Sequence, residues 1–146
     1  DFACSFAGHR RIELGQDGDD DSDLGHFALT GHVVAYTRAA CPMGCDYSVR
    51  VRDLRDGSRV HLVNGFKRFG APTGVVLRPT GSVAWVARGV PAEVPGGTAI
   101  PRTVWLAAAA GPRRVDAGNI DLGSLGLSGT TLSWTRDGAV QHATLN

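Results

Sequence analysis

Apolar and polar side chains alternate along residues 47–52, where Tyr47, Val49 and Val51 are each followed by a polar residue, first a serine and then two arginines. A period of two residues predicts a β-strand with one buried face. The Asp56-Gly57 pair that follows is typical of a hairpin turn, and Asp137-Gly138 repeats this signal near the end of the chain. No segment sustains the 3.6-residue period of an amphipathic helix. The pattern therefore predicts an all-β fold.

The strand pattern recurs three times along the chain. Residues 27–31 end in a glycine and lead into an apolar strand that carries Tyr36, and residues 77–81 and 125–129 do the same before Trp85 and Trp134. The three aromatic residues are spaced 49 residues apart, and an arginine follows each of them within three positions. Residues 8–15 (GHRRIELG) and 111–118 (GPRRVDAG) form a second repeated element. A fixed period of this length indicates a repeat architecture.

Each repeat is interpreted as a meander of four short strands. The glycine that ends the first strand, Gly31, Gly81 or Gly129, marks a tight turn, and β-branched and aromatic residues favour the second strand. We treat residues 1–146 as one domain, with repeats near 24–63, 75–117 and 123–146, the last completed by residues 8–15. The N-terminal strand is then the missing outer strand of the last repeat, which is how propellers close their ring.

Two segments resemble known blade sequences. Residues 77–88 (LRPTGSVAWVAR), followed by 103–106 (TVWL) and 111–115 (GPRRV), resemble a blade of a TolB-type β-propeller. Residues 49–57 (VRVRDLRDG) resemble the hairpin between the last two strands of a WD-like blade, with Asp53 at its acidic position. The resemblance covers most of the chain and implies a propeller-like fold, but it specifies no ligand.

The number of repeats does not decide how the predicted propeller ring closes. Propellers typically have about four to eight blades, whereas this chain supplies three. The alternatives are a homodimer that completes a six-bladed ring, an unusually tight three-bladed closure, or another fold of the same repeats. A β-trefoil, with three four-stranded units in a chain of this length, is the competing fold.

Composition and cysteine spacing limit the class of protein. The net charge of +1 and the scattered basic residues argue against nucleic-acid binding, and no uncharged stretch is long enough to span a bilayer. The chain begins at Asp1 without an initiator Met, which indicates a processed or recombinant form. Cys41 and Cys45 favour a small disulfide-bonded loop in a secreted or extracytoplasmic protein, with zinc as the weaker alternative. Cys4 is left without an assigned partner.

The irregular connections of the meanders fall at one end of the predicted scaffold. In each repeat the turn between the first and second strands and the turn between the third and fourth strands are short. The connections between the second and third strands, and between one repeat and the next, are long. Long loops on one end of a rigid scaffold are where binding residues concentrate; tolerated insertions are the alternative. The candidate residues for binding a ligand or partner on this face are Met43, Phe66, Lys67, Arg68 and Val94.

An acidic loop carries four alternating aspartates, Asp17, Asp19, Asp21 and Asp23. Alternate carboxylates in a loop can converge on a hard cation, so calcium is the one cofactor that the sequence suggests. The loop is not an EF-hand, because Ser22 and Ala28 stand where that motif requires Gly and Glu. A solvated acidic loop without metal is the alternative.

Catalytic motifs are missing from the sequence. It contains no nucleophile elbow, no dinucleotide-binding loop and no histidine cluster, and its scattered acids define no carboxylate pair. We therefore expect a non-enzymatic extracytoplasmic module that binds a protein, small-molecule or glycan ligand with its long-loop face. A calcium-stabilised structural or cell-surface domain and a carbohydrate- or peptide-acting hydrolase are the alternatives.

Overall fold

The computed structural model describes residues 2–5, 10–14, 22–41, 45–64, 71–89 and 101–146. Within these ranges the chain forms thirteen β-strands and no helix, which confirms the predicted all-β class. Accordingly, these ranges hold no helix with the length and apolar character needed to cross a membrane.

The strands form four antiparallel sheets in chain order. The N-terminal hairpin consists of β1 (Phe2–Ser5) and β2 (Arg10–Glu13). The first sheet consists of β3 (Ser22–Thr30), β4 (Val33–Ala40), β5 (Asp46–Asp53) and β6 (Arg59–Asn64). The second sheet consists of β7 (Pro72–Leu77), β8 (Val83–Ala87), β9 (Arg102–Ala108) and β10 (Gly111–Gly118). The third sheet consists of β11 (Gly126–Ser128), β12 (Thr131–Arg136) and β13 (Ala139–Thr144).

The turns between paired strands form where the sequence places glycine. Gly31, Gly81 and Gly129 have φ values of 57°, 90° and 58°, a left-handed conformation that a Cβ atom disfavours. At the turn between β12 and β13, Asp137 and Gly138 both have positive φ, as a type I′ hairpin turn requires. Each of the three larger sheets is consequently a simple meander in which neighbours in the chain are neighbours in the sheet.

The first and second sheets pack face to face through an apolar cluster. Val33 and Ala35 of β4 meet Val83, Trp85 and Ala87 of β8, and all five are nearly or fully buried. Because side chains on a strand alternate between faces, the intervening residues of β8 point the other way. Both faces of the second sheet are therefore available for packing.

The other face of the second sheet packs against the third sheet. Ala84 and Val86 of β8 share an apolar cluster with Leu132 and Trp134 of β12 and with Ile120. These five residues are at most 3% exposed, and burial of this kind is the main stabilising contribution in a β-protein without helices. The sheets thus form a stack in chain order.

Tyr36, Trp85 and Trp134 occupy the same place in their sheets. Each lies on the second strand, is at most 3% exposed, and packs with the element that precedes its own sheet. That element is the N-terminal hairpin for Tyr36, the first sheet for Trp85 and the second sheet for Trp134. The 49-residue period of the sequence is therefore the period of the stack.

The outer face of the third sheet is polar. Thr131, Ser133 and Thr135 of β12 alternate with the buried Leu132 and Trp134, so their side chains lie on the face that points away from the second sheet. Their neighbours on β13 include Val140, which is 62% exposed. Repeat stacks end on units whose outer face is polar, and the third sheet has this character.

The prediction that the N-terminal strand completes the last repeat is wrong. β2 pairs with β1, and the hairpin packs on the first sheet at the opposite end of the stack from the third sheet. Pairing with β1 closes a short loop, which costs less conformational entropy than pairing with the far end of the chain. Among the described strands β13 has β12 as its only neighbour, and these strands close neither a propeller ring nor a trefoil barrel.

Candidate functional site

A cleft of about 300 Å³ opens between the first and second sheets. It is lined by residues at the beginnings of β3, β5 and β7 and at the ends of β4 and β8, so these strand ends lie together. We call this the long-connection end, because the chain segments between β4 and β5, β6 and β7, and β8 and β9 leave the sheets here. The cleft is at the lower size limit of small-molecule sites.

Two β-bulges shape the walls of the cleft. The register of β3 with β4 shifts between Leu24 and Phe27, and that of β7 with β8 shifts between Thr73 and Val75. Each bulge contains a glycine, Gly25 in β3 and Gly74 in β7. Bulges bend a strand and re-aim its side chains, and they are enriched beside functional sites.

Gly25 is required by a close approach across the first sheet. A Cβ atom at this position would lie 2.5 Å from Oγ1 of Thr37, which is a buried residue of the cleft wall. Gly74 has a φ of 70°, a conformation that residues with a Cβ rarely adopt. The cleft therefore depends on glycine in both of its walls.

The polar side chains of the cleft are cationic or neutral. Arg38, at the end of β4, is half-buried, whereas Arg88, just after β8, is exposed. His26 and Tyr47 contribute an imidazole and a phenol to the same lining. None of the described residues that line the cleft is an aspartate or a glutamate. The cleft therefore brings two arginines, an imidazole and a phenol together at one end of the two sheets.

The arginine of the third repeat has a different environment. Arg136 Nη1 lies 2.5 Å from Asp116 Oδ1, and Trp134 Nε1 donates a 2.7 Å hydrogen bond to Asp116 Oδ2. Burial raises the pKa of Asp116, but the hydrogen bonds from Trp134, Ala117 N and Arg136 outweigh this effect and hold the pKa below its ordinary value. Arg136 thus joins the second and third sheets, while Arg38 and Arg88 line the cleft.

A second charged cluster lies at the opposite end of the first sheet. Asp53 is 7% exposed and accepts hydrogen bonds from the Arg55 guanidinium and backbone N–H, and His32 Nε2 lies 3.6 Å from its Oδ2. The hydrogen bonds from Arg55 lower the pKa of Asp53 to about 2. The Asp53 carboxylate therefore connects the turn between β5 and β6, which carries Arg55, with the turn between β3 and β4, which carries His32. Its role is that of a structural ion pair.

The candidate binding residues predicted from the sequence belong to the long connections. Met43, Phe66, Lys67, Arg68 and Val94 all lie outside the described residues, so their positions are open. The same holds for Asp17, Asp19 and Asp21 of the proposed calcium loop. Asp23 belongs to β3, where its backbone is opposite Ala39 of the cleft wall. The described residues contain no group of three or more His, Cys, Asp or Glu side chains that could hold a metal ion.

The predicted cysteine pair is confirmed. The Sγ atoms of Cys41 and Cys45 are 2.15 Å apart, which is disulfide distance. The pair closes the connection between β4 and β5 at the long-connection end. It therefore holds the end of β4, which carries Arg38, close to the start of β5, which carries Tyr47.

Comparisons with known proteins identify no relative. No protein family, curated protein or solved structure matches the chain.

Two of the cleft residues belong to the sequence repeats, but the repeats alone do not identify them as a site. Arg38 and Arg88 each follow the aromatic residue of their repeat, but the sequence does not show that stacking brings these two positions to one cleft. The sheet stack makes them neighbours. A repeated cation at the end of a repeated strand is the signal that could have pointed to them.

Proposed function

We propose that this protein is a non-enzymatic binding module that takes a small organic anion in the cleft between the first and second sheets. The observation that carries this proposal is the exposed side chain of Arg88, which lines the cleft together with Arg38 and His26. The guanidinium group forms paired hydrogen bonds with carboxylate or phosphate oxygens. Ligands that expose one of these groups are therefore the proposed class.

The remaining lining fits a ligand with an anionic group on a compact body. Tyr47 packs its ring at the edge of the first apolar cluster, and Ala39 and Pro72 add apolar surface. Thr37, Thr73 and His26 provide further polar groups for orientation. A small number of polar groups on a largely apolar wall is the usual composition of a small-molecule site.

The proposal also includes a propeller-type arrangement of the sheets and an extracytoplasmic location of the protein. Three repeats that stack face to face in chain order support a propeller-type succession of blades, in which the sheets keep a fixed order and expose their connections at one end. The Cys41–Cys45 pair supports an oxidising, extracytoplasmic environment. In this proposal the cleft faces the solvent outside the cytoplasm.

Calorimetric titration tests the proposal with named probes. Inorganic phosphate, citrate and glucuronate are titrated into the protein at low ionic strength, where charge interactions are least screened. We expect saturable binding of at least one probe, weakened at least about tenfold by Arg38→Gln and by Arg88→Gln, because a charge-assisted hydrogen bond contributes about 1.5–3 kcal/mol. The matched control is Arg114→Gln, which removes an exposed arginine from β10 outside the cleft.

Two results would contradict the proposal. One is a lack of saturable heat with all three probes at concentrations up to about 10 mM, which corresponds to a binding free energy weaker than about 3 kcal/mol. The other is unchanged affinity in the double variant Arg38→Gln/Arg88→Gln, which would place binding elsewhere on the surface.

A further inference from the structure

A second cavity, of about 230 Å³, lies between the second and third sheets at the turn between β9 and β10. Its lining consists of Leu106, Ala108, residues 110–113, Thr144 and Asn146. All of these residues belong to residues 101–146, which the structure describes without a gap. β9 begins at the long-connection end, so the cavity lies at the other end of the sheets and shares no lining residue with the cleft.

The floor of the cavity is the face of the second sheet that points toward the third sheet. In the pairing of β9 with β10, Leu106 is opposite Arg113 and Ala108 is opposite Gly111, so their side chains share one face. Leu106 belongs to the apolar cluster that contains Leu132 of the third sheet. The guanidinium-bearing side chain of Arg113 therefore lies on the same face as the apolar floor.

The opposite wall is the end of the third sheet. The carbonyl oxygen of Leu145 accepts a 2.9 Å hydrogen bond from Arg78 Nη1, and that of Asn146 accepts one from Ser82 Oγ. Both donors belong to the turn between β7 and β8, so the wall is held in place from the second sheet. Thr144 adds a hydroxyl group to this side of the lining.

Arg113 differs from the other arginines that lie between these two sheets. Arg78 and Arg102 donate hydrogen bonds to main-chain carbonyl oxygens, and Arg136 pairs with Asp116. Arg113 is exposed and, within the part of the chain that the structure describes, forms neither a hydrogen bond nor an ion pair. Its guanidinium donors are therefore available to a ligand in the cavity.

We infer that this cavity binds a short-chain monocarboxylate. The carboxylate pairs with Arg113, whose planar guanidinium matches the two carboxylate oxygens. The hydrocarbon chain lies over Leu106, Ala108 and Pro112, where burial of apolar surface is favourable. At about 30 Å³ per molecule in liquid water, the cavity volume corresponds to about eight non-hydrogen atoms, the size of hexanoate. One cation beside an apolar floor fits one negative charge on an apolar chain.

Nuclear magnetic resonance of the full chain tests this inference with named probes. Two-dimensional ¹H–¹⁵N spectra are recorded during titrations with acetate, butyrate, hexanoate and octanoate. We expect saturable shifts of the amides of residues 106–113. The affinity should rise about fourfold for each added methylene up to hexanoate and then level off, because the cavity is full. 1-Hexanol, which lacks the charge, should bind at least about tenfold more weakly than hexanoate.

Two variants separate the cation from the cavity. Arg113→Gln should weaken hexanoate binding at least about tenfold, whereas Arg114→Gln should leave it unchanged, since Arg114 lies opposite Trp105 on the other face of the second sheet. Ala108→Leu fills the cavity, retains Arg113 and should abolish binding. Equal urea midpoints for the wild type and the two arginine variants show that these proteins are equally folded.

Three results would overturn the inference. The first is a lack of saturable shifts at about 10 mM hexanoate, a binding free energy weaker than about 3 kcal/mol. The second is equal binding of hexanoate and 1-hexanol, or equal affinity of wild type and Arg113→Gln. The third is a set of shifts centred on Gly25 and Thr73, which would place hexanoate in the cleft. That third result would leave the proposed function intact, so the two proposals can fail separately.

Discussion

Gly25 lies so close to Thr37 that a single added carbon atom would come within 2.5 Å of the threonine Oγ1. The two residues belong to β3 and β4, and both line the cleft between the first and second sheets. The bulge in β3 brings them together. The shape of the cleft is consequently tied to the absence of a side chain at one position.

Gly25→Ala should destabilise the protein and distort the cleft. The added methyl group has to displace a buried threonine or the backbone of β3, and overpacking of this kind costs about 1–3 kcal/mol. Urea unfolding measures the loss. Gly123→Ala is the control, since the nearest atom to its Cβ would be 3.9 Å away and its φ lies outside the left-handed region. Equal stability of the two variants would contradict the close approach.

Tyr36→Phe should loosen the N-terminal hairpin. The hydroxyl of Tyr36 donates a 2.5 Å hydrogen bond to the carbonyl oxygen of Leu14 in a buried position, and its loss leaves that oxygen without this donor. The expected cost is about 1–2 kcal/mol, with faster hydrogen exchange at the amides of β2 than in the wild type. Tyr47→Phe serves as the control, and a similar loss in that variant would show that the effect is not specific to Leu14.

Asp53→Asn should remove part of the acid sensitivity of the fold. The pKa of Asp53 is lowered from 3.8 to about 2 by its hydrogen bonds with Arg55, so the folded state favours the ionised carboxylate. Its stabilising contribution is full above about pH 4 and is lost as the pH falls toward 2. Urea midpoints measured across this range should fall less steeply in Asp53→Asn than in the wild type.

The control for this pH experiment is Asp121→Asn, which removes an exposed carboxylate and retains an oxygen acceptor for the Gly123 N–H. It should follow the wild-type curve more closely than Asp53→Asn does. Identical curves for the wild type and Asp53→Asn would show that Asp53 does not couple folding to protonation.

Asp116→Asn should weaken the joint between the second and third sheets. The carboxylate of Asp116 accepts hydrogen bonds from Trp134 and Arg136 at the same time, whereas an amide offers one oxygen and a competing donor. We expect a loss of about 2 kcal/mol in the free energy of unfolding. A double-mutant cycle with Trp134→Phe should give a coupling free energy of at least about 0.5 kcal/mol. Additive losses would mean that Trp134 and Asp116 act independently.

The sequence predicted the local structure well because its signals are local. Gly31, Gly81 and Asp137-Gly138 mark turns by backbone chemistry, and the alternation along residues 47–52 matches the buried Val49 and Val51 of β5. The repeat spacing also predicted that Tyr36 and its two equivalents share one role. These features depend on neighbours within a few residues or on a regular period.

The partners of distant segments could not be predicted in the same way. Residues 8–15 resemble residues 111–118, and both contain an outer strand, but the sequence does not state which strand lies beside it. The structure pairs β2 with β1 through a short connection. The cleft was missed for a related reason, because Arg38 and Arg88 meet only through the packing of two separate sheets.

The polar outer face of the third sheet makes the two ends of the described stack chemically different. At one end Thr131, Ser133 and Thr135 offer hydroxyl groups, and at the other Phe27 and Leu29 are exposed beside the N-terminal hairpin. Contacts at the first end can therefore gain hydrogen bonds, whereas contacts at the second end can gain apolar burial.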